Sequence, residues 1–302
     1  MNRGVVRIIG VASGFGAQDP GCGKGPWAIK HSHLMERLEE DLEWSDLIYP
    51  KDGLDKWTRL SELAHRVGEE VDRALGAGDF PVVIGGDHSC ALGTWSGVRR
   101  HLVGRGSLGL LWIDAHMDSH IPDTSASHAL HGMPLAALLG LGQHSLISLV
   151  GKPPVLQAGQ VCLLGVRSYE EEESALLDRL GVRVIREEEV VARGLSDTMA
   201  EAVTRVATGT AGFGISLDLD ALDPSEAPGV GSPEPAGLTI RDLLKVLTPL
   251  LADPRLLTLE IAEYNPEHDR HQVTLMFVVE LLERLVKSRA ALMAHPKNGS
   301  AA

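Results

Sequence analysis

The chain has 302 residues, 44% of them hydrophobic, which is enough material for the buried core of one large α/β domain. Its 28 Lys and Arg residues stand against 41 Asp and Glu residues, a formal net charge of −13. That balance argues against a nucleic-acid-binding protein, since phosphate contacts need clustered basic residues. No apolar run reaches the length of a signal-peptide core or a membrane span, and three scattered cysteines indicate a reducing compartment, so we expect a cytoplasmic protein with no membrane contact.

Short apolar runs alternate with amphipathic stretches along the whole chain. The apolar runs predict strands at 5–11, 81–84, 108–113, 160–166, 182–185, 212–219 and 256–261. Apolar residues at helical spacing predict helices at 57–75, 130–141, 174–180, 197–207, 239–251 and 271–286. Because strands that are apolar throughout are typical of a sheet buried on both faces, the alternation predicts one doubly wound parallel sheet.

We therefore expect a single domain over residues 1–302, with a frayed polar tail at 295–302. Two loops, 17–25 and 119–129, are long, polar and without periodicity. Loops of this kind at the edge of a sheet are candidates for binding a substrate.

Acidic residues and histidines directly follow three of the predicted strands. The three segments read Gly85-Gly86-Asp87-His88-Ser89, Asp114-Ala115-His116-Met117-Asp118 and Asp218-Leu219-Asp220-Ala221-Leu222-Asp223-Pro224. In an open α/β sheet, ligands gather at the carboxyl ends of the strands. Residues i and i+2 of an extended chain face the same side, so each DxH or DxD pair is expected to point into one cavity, with Asp118 continuing the series if the chain stays extended.

Convergence of these residues predicts a pair of divalent cations. Four carboxylates cannot share a dry cavity as anions without cations, because burying unpaired like charge is very costly, and two divalent ions balance them. Mixed carboxylate and imidazole ligation favours manganese over metals that prefer thiolates. Two such ions can share a bridging water and lower its pKa toward neutrality, which makes hydroxide the expected nucleophile. Each motif alone is typical of a loop or a helix cap, and it is their combination that indicates a metal site.

The three motifs, in this order, resemble those of the ureohydrolase family, which comprises arginases, agmatinases, guanidino-acid hydrolases and formiminoglutamases. The resemblance extends over nearly the whole chain and implies a three-layer α/β/α fold with a mainly parallel sheet of about eight strands. It also implies two Mn²⁺ ions per chain, a small guanidino substrate and assembly as a homotrimer or homohexamer. Among the members, arginase is the leading option.

The resemblance also assigns roles to individual residues. It implies that one manganese is bound by His88, Asp114, Asp118 and Asp218, and the other by His116, Asp114, Asp218 and Asp220. Asp114 and Asp218 would then bridge the ions, and Asp118 would orient the hydroxide between them. His131 corresponds to a mobile proton-transferring histidine of the family, a role that suits the pKa of imidazole. Glu263 corresponds to the carboxylate that pairs with the guanidinium, a planar group that suits a forked carboxylate contact; Glu260 on the same predicted strand is its competitor.

The substrate depends on loops rather than on the shared motifs. Arginases read the α-carboxylate with an Asn and a Ser after the DAHxD motif, and this chain matches the loop length but has His120 at the Asn position and Ser127 at the Ser position. An aspartate that reads the α-amino group is replaced by Glu170, although an acidic run such as 170–173 is also typical of a solvated helix start. These departures leave a guanidino-acid hydrolase, an agmatinase or a formiminoglutamase as alternatives to an arginase.

Two other classes compete with a binuclear hydrolase. A single-zinc deacetylase on a related sheet needs fewer carboxylates than this chain supplies. A non-catalytic relative would be expected to lose metal ligands, whereas all six are present. Four further histidines, His31, His33, His268 and His271, are assigned no role by the sequence.

Overall fold

A computed structural model describes residues 5–149 and 153–294, so the predicted tail at 295–302 lies outside the described residues. Within these ranges the chain forms eight strands: β1 (Val6–Val11), β2 (Leu42–Trp44), β3 (Phe80–Gly85), β4 (Leu108–Ile113), β5 (Val161–Val166), β6 (Arg183–Arg186), β7 (Gly212–Asp218) and β8 (Leu256–Ala262). The same ranges contain ten α-helices: α1 (Gly25–Lys30), α2 (Lys56–Ala77), α3 (Ala91–His101), α4 (Pro134–Leu138), α5 (His144–Ile147), α6 (Glu171–Leu180), α7 (Glu187–Arg193), α8 (Leu195–Ala207), α9 (Ile240–Leu251) and α10 (Val273–Ala294).

All eight strands form one parallel sheet in the order β2-β1-β3-β8-β7-β4-β5-β6. Successive side chains of a strand point to opposite faces, and β3 shows the result: Val82 and Ile84 belong to one hydrophobic core and Val83 to the other. Helices therefore cover both faces. This confirms the predicted three-layer α/β/α fold with a parallel eight-stranded sheet.

Helix α3 is an element that hydrophobic periodicity did not predict. Residues 91–98 are all buried, so the helix has no polar face along most of its length and lacks an amphipathic pattern. It packs closely on α2, since a Cβ added at Gly97 would lie 2.6 Å from the carbonyl oxygen of Gly68. Strand β2 was also missed, because it has three residues at the sheet edge and too little sequence for a pattern.

The predicted helix at 130–141 was wrong in extent, because only Pro134–Leu138 is helical. The backbone N–H groups of Leu130 and His131 both donate to the carbonyl oxygen of Gly16, at 2.8 Å and 3.2 Å, which holds this segment against the first long loop instead. Among the described residues, no helix combines the length and apolarity needed to cross a bilayer.

Candidate metal centre and active site

Four strands in the middle of the sheet deliver the predicted site residues. Strands β3, β8, β7 and β4 are neighbours, and all run parallel, so their carboxyl ends meet at one edge. His88 follows β3, Asp114 follows β4, Asp218 ends β7 and Glu263 follows β8. The site is therefore assembled from four segments that are distant in sequence and adjacent in the sheet.

The turn after β3 depends on close backbone packing. A Cβ at Gly86 would lie 2.0 Å from the carbonyl oxygen of Ser13, so only glycine fits there. The backbone N–H of the next residue, Asp87, donates to that same oxygen at 2.8 Å. The Asp87 side chain is buried and accepts a hydrogen bond from the Gly16 backbone at 3.0 Å. These contacts fix the direction in which His88 leaves the strand.

His88 has two nitrogens in different environments. Its Nε2 lies 2.9 Å from Ser216 Oγ, and that hydroxyl donates to Glu260 Oε1 at 2.7 Å. If Nε2 carries the proton of the neutral ring, it donates to the Ser216 hydroxyl, and Nδ1 is left with a free lone pair. Nδ1 is buried and lies 3.2 Å from Asp114, 3.0 Å from Asp118 and 3.0 Å from Asp218, without a hydrogen-bond partner among the described residues. A lone pair surrounded by three carboxylates fits a divalent cation.

His116 forms the second group of donors. Its Nδ1 lies 3.0 Å from Asp220 Oδ2 and 3.5 Å from Asp114 Oδ1. Asp114 thus presents one oxygen to each histidine, because its Oδ2 faces His88. Trp112 Nε1 donates to that Oδ2 at 2.8 Å and holds the carboxylate in place. Two groups in this cluster could each hold a cation, His88 with Asp114 and Asp218, and Asp114 with His116 and Asp220. A third group of possible ligands, His120 with Glu170 and Glu173, lies in the cavity lining.

At two of the four aspartates, Asp118 and Asp220, the backbone is not in the extended conformation that the motifs predicted. Asp118 has φ of 47°, in the left-handed region, so the chain does not stay extended there. Asp220 lies in a single 3₁₀ turn, Leu219–Ala221, and its N–H donates to Asp218 Oδ1 at 2.8 Å. Both carboxylates nevertheless reach the cluster, Asp118 beside His88 and Asp220 beside His116.

Burial sets the electrostatics of the cluster. It raises the pKa of Asp118 to about 6, and it raises the pKa of Asp218 well above the ordinary range, with further help from the charge of Asp220. The pKa of Asp220 is raised by burial as well. Burial opposes the ionisation of Asp114 too, but its contacts with His116 and His88 outweigh burial and hold its pKa below the ordinary range. Three of the four buried carboxylates therefore resist ionising, and cations in the cavity would stabilise all four as anions. The donor set and its charge therefore both fit two divalent cations.

His131 and Glu263 form a pair at the other side of the cluster. His131 Nδ1 lies 2.9 Å from Glu263 Oε1, and the same oxygen accepts the backbone N–H of His88 at 2.8 Å. Burial lowers the pKa of His131, but the contact with Glu263 outweighs it and raises the pKa to about 9. Glu263 has φ of 67°, which turns its side chain away from the strand. Glu260, its competitor by sequence, is fully buried behind His88, where it accepts hydrogen bonds from Ser216 and Trp95. Neither glutamate is among the residues that line the cavity, and Glu263 is the one in contact with the lining residue His131.

A cavity of about 130 Å³ opens over the cluster. His120 and Glu170 meet at its mouth, with His120 Nε2 2.9 Å from Glu170 Oε2, so the two residues that depart from the arginase pattern contact each other. Ser127 is exposed and lines the same cavity. Three of the four predicted substrate-binding residues, His120, Ser127 and Glu170, thus line this cavity, and Glu263 does not.

Glu173 is a lining residue that the sequence did not single out. It is buried, accepts the backbone N–H of Ser119 at 2.9 Å, and lies 3.4 Å from His120 Nε2. Burial raises its pKa to about 8. The available signal was its place in the first turn of α6, three residues after the N-cap Glu170, where the two side chains form a capping box. The expectation of a solvated acidic run holds for Glu171 and Glu172, which are exposed, and not for Glu173.

The four histidines to which the sequence assigned no role are not among the residues that line the cavity. His31 is exposed and stacks on Trp27 with ring centroids 4.4 Å apart. His33 begins a 3₁₀ turn and is exposed. His268 Nδ1 lies 2.8 Å from the Val230 carbonyl oxygen, and His271 is exposed at φ of 60°.

The fold and the site together define a class: a parallel α/β protein whose central strand ends carry a carboxylate–histidine centre suited to two divalent cations. Comparisons with known proteins specify the family within that class. The Arginase family matches residues 5–287, and the chain belongs to that family.

Individual relatives agree with this family assignment. The arginase of Bacillus caldovelox is 36% identical over 93% of this chain and 97% of its own length, and the arginase of Brevibacillus brevis is 36% identical with the same coverage. The solved structure of the Bacillus caldovelox arginase superposes with a TM-score of 0.87 at 34% identity, covering 94% of this chain and 98% of the other.

Proposed function

We propose that this protein hydrolyses the guanidinium group of L-arginine to give L-ornithine and urea, with two Mn²⁺ ions per chain. The observation that carries the proposal is the buried Nδ1 of His88 among three carboxylates, in a cluster where Asp114 also faces His116. Relatives named arginase, 36% identical over almost the full chain, support the choice of reaction.

We divide the six proposed ligands between the two ions as the family resemblance implies, and the two donor groups around His88 and His116 support this division. His88, Asp114, Asp118 and Asp218 would hold one ion, and His116, Asp114, Asp218 and Asp220 the other, with Asp114 and Asp218 shared. When bound, such a pair would supply a water of lowered pKa as the nucleophile toward the guanidinium carbon. Asp118 would accept a hydrogen bond from that water and orient it.

The remaining residues bind the substrate and move protons. Glu263 accepts the guanidinium N–H groups and places the central carbon over the cluster. His131, whose pKa is about 9, is protonated at neutral pH and gives its proton to the departing amine. Because His131 contacts Glu263 at 2.9 Å, binding of the guanidinium and protonation of the leaving group are coupled through one carboxylate.

The cavity mouth favours a substrate with a distal ammonium group. Glu170 and Glu173 both line it, and the contact with His120 lowers the pKa of Glu170. The Glu170 carboxylate is therefore an anion that attracts an α-ammonium and disfavours an acidic tail, whereas burial keeps Glu173 protonated at neutral pH. In this proposal His120 orients Glu170, and the exposed hydroxyl of Ser127 is the donor to an α-carboxylate. L-Arginine matches both ends. Agmatine, which has no carboxylate, is the second candidate, and the acidic mouth disfavours guanidino acids and formiminoglutamate.

A substrate panel tests this proposal. Release of urea, or of formamide from formiminoglutamate, is measured for L-arginine, agmatine, a guanidino acid and formiminoglutamate, with and without added Mn²⁺. We expect the highest kcat/KM with L-arginine and little activity without Mn²⁺. A higher kcat/KM for any other compound would overturn the substrate, and no product from any of them by a protein that binds two Mn²⁺ would overturn the reaction.

We also propose that the chain acts as one domain, that it assembles as a homotrimer or homohexamer as the family resemblance implies, and that it works in the cytoplasm. All eight strands of the described residues join one sheet, which supports the single domain. Cys22, Cys90 and Cys162 are free and buried, which suits a reducing compartment. Sedimentation velocity gives the assembly directly, and a monomer at micromolar concentration would contradict it.

A further inference from the structure

Both metal-facing histidines have their second nitrogen directed toward a glutamate. For His88, Nε2 reaches the buried Glu260 through Ser216. For His116, Nε2 lies 3.8 Å from Glu234 Oε1. Glu234 has no role in the function proposed above, and its side chain is 34% exposed, so it could have turned into solvent.

Glu234 is instead held in place by two neighbours that follow β5. Ser168 Oγ donates to Glu234 Oε1 at 3.0 Å, the same oxygen that faces His116. Arg167 Nη2 donates to the backbone oxygens of both Glu234, at 2.8 Å, and Asp220, at 2.7 Å. The guanidinium therefore fastens the loop that carries Glu234 to the backbone of Asp220, whose carboxylate faces the other nitrogen of His116.

We propose that Glu234 is the outer carboxylate partner of His116, a positioning residue for the metal centre. This inference rests on the metal pair of the proposed function. Accepting the Nε2 proton fixes the tautomer, orients the ring and makes Nδ1 a stronger ligand. At 3.8 Å the contact is longer than a hydrogen bond, and it closes to hydrogen-bond length when His116 binds its ion.

Three substitutions at one position separate charge from hydrogen bonding. Glu234→Ala removes the acceptor, Glu234→Gln keeps an acceptor oxygen without the charge, and Glu234→Asp keeps the charge on a shorter side chain. Glu171→Gln is the matched control, because Glu171 is an exposed glutamate at the start of α6 and its loss changes the net charge equally.

The main readout is Mn²⁺ binding, measured from the free-ion electron paramagnetic resonance signal during titration of metal-depleted protein. We expect wild type and Glu171→Gln to bind two ions alike. In Glu234→Ala we expect one of the two to bind about 10–100-fold more weakly, with a smaller loss in Glu234→Gln and partial recovery in Glu234→Asp. The kcat of Glu234→Ala should fall at limiting Mn²⁺ and recover at saturating Mn²⁺, while KM for L-arginine stays unchanged.

The outcomes distinguish this inference from the proposed function. Two ions in Glu234→Ala with wild-type affinity would overturn the role of Glu234 and leave the proposed function intact. Fewer than two ions in wild type would overturn both. A structure of the manganese-bound protein provides a second check, since a His116 Nε2 to Glu234 Oε1 distance below about 3.2 Å supports the inference and a longer separation opposes it.

Discussion

The hydroxyl of Ser216 offers the sharpest test of how the metal centre is held. It is fully buried on β7, accepts from His88 Nε2 at 2.9 Å and donates to Glu260 at 2.7 Å. Ser216→Ala removes both hydrogen bonds and leaves the Nε2 proton of His88 without an acceptor. Glu260 keeps a donor in Trp95 Nε1 at 3.1 Å, so most of the cost falls on the histidine.

The size of the effect follows from burial. An unsatisfied buried donor costs about 1–3 kcal/mol, and that loss appears in the binding of the ion that His88 holds. This corresponds to roughly 5–150-fold weaker Mn²⁺ binding at one of two sites. Titration of metal-depleted protein with Mn²⁺, followed by the free-ion resonance signal, resolves a change of this size.

Thr258→Val is the matched control for Ser216→Ala. Thr258 lies on the neighbouring strand β8, is fully buried, and its Oγ1 has no hydrogen-bond partner among residues 5–149 and 153–294. Replacing this hydroxyl by a methyl group should leave Mn²⁺ binding unchanged and leave the thermal midpoint equal or higher. If Ser216→Ala binds both ions within twofold of Thr258→Val, the hydroxyl does not position His88, and the reasoning is refuted.

Three further changes test other parts of the site. Asp220→Ala removes the carboxylate 3.0 Å from His116 Nδ1, and urea release should fall by more than the about 10–100-fold typical of outer partners. Asp178→Ala, at an exposed position of α6, is the control, and near wild-type turnover of Asp220→Ala would contradict its assignment. Because the pKa of His131 is about 9, we expect wild-type activity to fall as pH rises through that value. His131→Asn should lower kcat by about 10²–10⁴-fold and remove that fall, and an unchanged alkaline limb would exclude His131 as the donor. Burial raises the pKa of Glu173 to about 8 from an ordinary 4.5, so the folded chain retains a proton that the unfolded chain releases, and the free energy of unfolding should fall as pH rises between these values; Glu173→Gln should flatten that slope of thermal midpoint against pH, and an unchanged slope would argue against the shift.

The metal-ligand candidates at the strand ends could be predicted from the sequence because each lies directly beside the apolar run that marks its strand. Asp114 and His116 directly follow an apolar run, and the rule that ligands gather at the carboxyl ends of parallel strands needs no knowledge of tertiary contacts. The parallel sheet itself was predictable for the same reason, since strands buried on both faces have no polar alternation.

What the sequence could not predict lies in contacts between distant segments. Ser216 and His88 are 128 positions apart, and neither segment contains a motif that predicts their hydrogen bond. Two weak signals were present on β7. Ser216 lies two residues before Asp218 and so faces the same side of the sheet, and it is a polar residue in an otherwise apolar run. No sequence pattern pointed to Glu234, because its position depends on the hydrogen bond by which Arg167 holds the backbone of the loop that carries it.

The central position of β3, β8, β7 and β4 has a thermodynamic consequence for the whole molecule. Their carboxyl ends are brought together only when the middle of the sheet is formed, so an unfolded chain offers no preformed site, and ion binding is linked to folding. Without cations, repulsion among the four aspartates destabilises the central strands of the sheet rather than its edge strands. A chelator is then expected to lower the melting temperature of the entire sheet cooperatively. Supply of the proposed cations would in that case set the lifetime of the folded protein as well as its rate of turnover.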